Sequence, residues 1–105
     1  MIENTLTPPY YAVIFSSLLS DNTEGYSEIA DRMEVLAKKQ PGYLGIEYAR
    51  SEIGITVSYW ESLEAITHWK NNLEHTEARE MGREKWYQQY QLRICKVERE
   101  YGFKK

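Results

Sequence analysis

The chain has 105 residues and a mass of 12.4 kDa; 42% of residues are hydrophobic, 28% are charged, and the formal net charge is −3 with a pI near 5.4. One domain of this length buries roughly two-thirds of its unfolded surface, enough for a single modest core, and the apolar content excludes disorder on compositional grounds. Acidic and basic residues are interspersed through the second half, which argues against nucleic acid or a membrane surface as partner, because both require clustered basic charge.

The N-terminal "MIENTLTPPY" contains no Lys or Arg, so it does not read as a targeting signal, and the apolar run after it is far too short to span a bilayer. That run, "YYAVIFSSLLS" (10–20), is aromatic and β-branched on both alternating faces and predicts a central strand covered on both sides. Pro8 and Pro9 mark where it can begin. "DNTEG" predicts a turn, with Asn22 or Thr23 as helix cap. Tyr26, Ile29, Met33, Leu36 and Ala37 then recur at helical spacing, and "KKQPG" stops the helix. "YLGIEYARS" sets Leu44, Ile46 and Tyr48 against Gly45, Glu47 and Ala49, a half-buried strand. "EIG" leads to a strand at 55–61, where Ile55, Val57 and Tyr59 share a face. Ser62 is placed to cap a second helix with an inward stripe of Leu63, Ile66, Trp69 and Leu73. "QLRICKVERE" closes with a strand that carries the lone Cys95. A single Cys forms no internal disulfide and no Cys-rich zinc site, which fits a reduced, cytoplasmic protein.

The order β-α-β-β-α-β predicts an α+β, ferredoxin-like fold over one domain, residues 1–105, with an ordered core of about 10–103. Helices on one side of the antiparallel sheet leave its other face aromatic and apolar. A homodimer, sheet against sheet with the "YGFKK" tail reaching across, would cover that face.

The stretch "HWKNNLEHTEAREMGREKWY" (68–87) reads as a continuation of the second helix. On a wheel of about 100° per residue, His75, Arg79, Gly82 and Trp86 fall near one line, flanked by Ala78 and Tyr90, with Arg83 a little further round and Glu77, Glu80 and Glu84 opposite. Such a mixed face reads as one wall of a pocket in which Arg79, Trp86 and Tyr90 meet a small molecule. The structural alternative is that Trp69 and Trp86 are core residues, His75 is simply hydrogen-bonded, and Arg79 and Arg83 pair with glutamates one turn away. There is no Ser-His-Asp or Cys-His arrangement and no Gly-rich phosphate loop. His68 and His75 do not form a metal site by spacing. Chemistry without a cofactor, or with one held mainly by shape, remains.

Three segments, "QPGYLGIEY", "ITVSYWESLEAITHWK" and "EHTEAREMGREKWYQQYQLRICKVEREYGF", resemble the antibiotic biosynthesis monooxygenase superfamily. The resemblance implies a dimeric α+β barrel with a pocket in each subunit between sheet and long helix. It also implies oxidation of a small aromatic or quinone-like substrate without metal or flavin, the substrate's own phenolate activating oxygen. In that frame Trp69 is the pocket-wall tryptophan, His75 the base or hydrogen-bond partner, and Arg83 faces an anionic intermediate. The haem-degrading branch of the superfamily fits less well: its proximal His falls here at Arg79, and its first-strand Asn falls at Ser17 and Leu18. Haem is therefore disfavoured and no cofactor is expected. A non-catalytic ligand-binding or stress-response protein on the same fold is the third alternative.

Overall fold

The computed structural model describes residues 5–74 and 85–105. Its elements are β1 (Tyr10–Leu19), α1 (Tyr26–Lys38), β2 (Tyr43–Arg50), β3 (Gly54–Trp60), α2 (Leu63–Glu74) and β4 (Tyr87–Val97). The four strands form one antiparallel sheet in the order β2-β3-β1-β4. The ferredoxin-like order and the central position of β1 agree with the sequence reading. No helix among the described residues is long and apolar enough to cross a membrane.

The two faces of the sheet follow from strand alternation. On the helix side Tyr11 and Val13 of β1 meet Trp60, Ala37 and Ile66, and Ala65, Tyr43 and Trp69 complete this core. Trp60 is its centre: it is wholly buried, stacks on Trp69 at 6.1 Å, and donates its indole N–H to the Ser58 hydroxyl at 2.9 Å. On the other face Tyr10 packs edge-on to Tyr59 at 5.7 Å, and the Tyr59 hydroxyl donates to Glu47 Oε1 at 2.5 Å. Ile55, Val57 and Tyr59 share this face, as their alternation predicts.

Several local expectations need correction. Asn22 and Thr23 do not cap α1. Gly25 does, in the left-handed region at φ 81° and with no side-chain bond; the Asn22 carboxamide instead accepts from Glu24 N–H, closing the preceding turn. Ser62 does cap α2, accepting from Ala65 N–H at 3.0 Å. Leu63, expected inside, is exposed, because the burial of α2 centres on Ile66 and Trp69.

The largest correction concerns the end of the long helix. Lys85 and Trp86 have π-helical geometry and Tyr87 already belongs to β4, so neither Tyr87 nor Tyr90 is helical. The sequence misleads for a definable reason. The two tyrosines are three residues apart, a helical interval, but the β1–β4 register slips at Leu18/Leu19, where Leu18 faces Gln89 and Leu19 faces Tyr87. That bulge takes one extra residue into β4 and turns both tyrosines to the helix side.

Candidate functional site

Beyond the core, the helix side of β1 and β4 carries an aromatic group of different character. Phe15 lies 5.4 Å from both Tyr87 and Tyr90, which are 5.7 Å from each other. Tyr26, the first residue of α1, stands edge-on to Tyr87 at 5.9 Å. All four rings are only half-buried. Further along β4 on the same face, Leu92 and Ile94 are 47% and 50% exposed. A packed core would cover such residues.

Polar groups border this surface. Arg50, Gly54, Ser17 and Tyr90 form one rung across all four strands. The Arg50 side chain lies along that rung, donates to the Ser17 hydroxyl at 2.6 Å and places its guanidinium 5.9 Å from the centre of the Tyr26 ring. A Cβ at residue 54 would collide with the guanidinium, so glycine is what lets the arginine cross β3. Ser17 is 3% exposed. Burial holds the Tyr87 phenol well above its ordinary pKa; the neighbouring Tyr26 and Tyr90 hydroxyls act in the same direction, and the Arg50 charge acts against them. Near neutral pH Tyr87 is therefore a hydrogen-bond donor and not a base.

Trp86 fixes the entry to β4. It is 3% exposed, donates its indole N–H to the Glu24 carbonyl at 2.8 Å and packs edge-on against Tyr26 at 5.7 Å. Ser20 ties the same turn to the end of β1: its N–H donates to the Trp86 carbonyl at 2.7 Å and its hydroxyl to the Lys85 carbonyl at 2.5 Å. These bonds hold Tyr87 beneath Tyr26.

The residues singled out from sequence separate into three groups. Tyr90 is in the aromatic group, although on a strand. Trp69 is half-buried and stacked in the core, and Trp86 is at the edge of the group with its N–H already bonded. His75, Arg79 and Arg83 lie outside the described residues. Sequence reasoning missed Arg50, Tyr87 and Phe15 and took Tyr26 only as a packing residue. Arg50 had a readable signal, since it continues the parity of Ile46 and Tyr48, an arginine aimed at the helix side. Among the described residues no group of three His, Cys, Asp or Glu side chains is arranged to hold a metal ion. A depression of about 340 Å³ does occur on the outer side of α2, lined by Leu63, Glu64, Thr67, His68 and Asn71. Its walls come from one helix, so it encloses nothing and is a surface groove.

Comparisons with known proteins agree with this architecture. The chain is 52% identical over 101 residues to YqjZ of Bacillus subtilis (strain 168), covering 94% of this chain and 89% of that protein. It superposes with a TM-score of 0.75 at 8% identity on a mutant of SnoaB, a cofactor-independent oxygenase from Streptomyces nogalater, covering 89% of this chain and 97% of the other. PA3566 from Pseudomonas aeruginosa gives 0.70 at 14% identity over 92% and 100% of the two chains. At such identities the likeness is one of fold. The family model for antibiotic biosynthesis monooxygenases matches residues 9–81, and the chain belongs to that family.

Proposed function

We propose that this protein is a cofactor-independent monooxygenase that oxidises a small aromatic or quinone-like molecule held on the helix side of β1 and β4. Family membership supports the reaction class. The observation that carries the location is the half-buried group of Phe15, Tyr87 and Tyr90, an aromatic surface bordered by donors. An aromatic ring stacks favourably on such a surface.

In the proposed reaction a phenolic ring becomes a quinone. One ring C–H bond and the phenolic O–H bond are lost, one atom of dioxygen becomes the new carbonyl oxygen and the other leaves as water, so four electrons pass from substrate to oxygen. Removal of a proton makes the substrate an electron-rich anion, and the protein's part is to take that proton and stabilise the negative charge. Tyr87, kept protonated and hydrogen-bonded to Tyr26, turns its O–H toward the developing oxyanion when substrate binds. His75 as base and Arg83 facing the anionic intermediate follow from the family resemblance and complete the reading, with Trp69 as a wall of the pocket. The working form is a homodimer in the cytoplasm, joined through the sheet face of Ile55, Val57 and Tyr59. Tyr101 and Phe103, which are 86% and 90% exposed in the single chain, are buried against the partner.

Incubation with hydroxylated naphthalenes and anthracenes in chelator-treated buffer, followed with an oxygen electrode and mass spectrometry, tests the proposal. Oxygen uptake with a product that has gained one oxygen atom is the expected result. Binding of these compounds without oxygen consumption would replace it with a non-catalytic ligand-binding function.

A further inference from the structure

We propose that Arg50 selects the ligand of this site by binding a carboxylate carried on its aromatic ring. The inference rests on the helix side of β1 and β4 being the ligand site, and it adds to that reading a substrate class, aromatic acids.

The geometry of the rung is the basis. Neighbouring strands are about 4.8 Å apart, so an arginine at the end of edge strand β2 reaches β1 only by lying flat over β3. Gly54 leaves that path open, and Ser17 on β1 accepts the hydrogen bond that holds the side chain there. Arginine has five N–H donors in a planar fork. Ser17 accepts from one nitrogen, and the guanidinium carbon lies 5.9 Å from the centre of the Tyr26 ring. Among the described residues the ion pair is Lys38 with Glu34 at 3.7 Å, and no carboxylate reaches Arg50. An oriented guanidinium that meets no carboxylate among the described residues, next in the same rung to the aromatic surface at Tyr90, matches a carboxylate bidentately. A ring stacked on Phe15 and Tyr90 brings its acidic substituent toward that fork.

The test is a matched pair of ligands, 1-hydroxy-2-naphthoate and 1-naphthol, titrated calorimetrically at neutral pH. The wild-type protein should bind the acid at least about tenfold more tightly, the scale of one charge-assisted pair. Arg50→Gln should lower the affinity of the acid to that of 1-naphthol. Gly54→Ala should do the same while keeping the positive charge, because its Cβ displaces the guanidinium from the rung. Arg50→Lys should restore only part of the preference. Equal affinity for the two compounds, failure of both to bind, or a preference that survives Arg50→Gln overturns the inference. Binding is read here without turnover. Loss of acid preference would leave the oxygenase reading standing, and absence of oxygen uptake would leave the selectivity result standing.

Discussion

The Arg50 guanidinium and the Ser17 hydroxyl come from strands that are not neighbours, yet they meet at 2.6 Å across the bare backbone of Gly54. This contact joins the edge strand to the centre of the sheet at the border of the aromatic group. Ser17→Ala removes the acceptor but leaves the exposed arginine free to find water. The expected loss of stability is that of one hydrogen bond, about 0.5–1.5 kcal/mol. It would appear as a lower urea midpoint with an unchanged slope.

The tryptophans should respond unequally to truncation. Trp60 is wholly buried and bonded to Ser58, so Trp60→Ala should cost about 3–5 kcal/mol. Trp86→Phe keeps most of the packing but strips the Glu24 carbonyl of its donor, for about 1–3 kcal/mol. Trp69 is only half-buried beside Trp60, and Trp69→Phe should be the mildest of the three in denaturant unfolding. If Trp69 also forms a pocket wall, the same variant lowers oxygen uptake more than its small stability change explains.

Tyr87 sets a dependence at alkaline pH. Its folded-state pKa is raised, chiefly by burial, whereas in the unfolded chain it ionises near 10. Above about pH 10 the unfolded state therefore holds fewer protons than the native one, and stability falls as pH rises further. Thermal midpoints should be level between about pH 7 and 9 and decline beyond 10, and Tyr87→Phe should flatten that decline. Absorbance at 295 nm should show at least one tyrosine resisting ionisation while the protein stays folded.

The outer sheet face is the place to test assembly. Ile55 is 45% exposed in the single chain and shares its face with Val57 and Tyr59. If two copies join there, sedimentation equilibrium will give a dimer for the wild type. Val57→Asp, which sets a charge in that contact, will shift it to monomer without unfolding the chain. A monomeric wild type would remove the homodimer from the account.

The architecture was legible because alternation and helical spacing are strong along most of the chain. Ile55, Val57 and Tyr59 declared their shared face, Ile66 declared the core, and Ser62 declared its cap. The site was less legible because it depends on contacts between distant segments. The spacing of Tyr87 and Tyr90 imitates a helix, and only the slip of β4 past Leu18 shows how a strand brings both to one side. Likewise Gly54 reads as part of an ordinary turn until Arg50 is found lying over it. Trp86 reads as a ligand contact by its wheel position, but its N–H bond to Glu24 is a pairing that periodicity does not encode.

The central claim is the location of the chemistry, and oxygen uptake by two sets of variants tests it most directly. With a hydroxylated anthracene that the wild type oxidises, Phe15→Ala and Tyr90→Ala should each lower the rate at least about tenfold by misplacing the ring. His68→Ala and Thr67→Ala, in the groove on the outer side of α2, should leave the rate as it is. Full activity in the first pair, with loss in the second, would contradict the account.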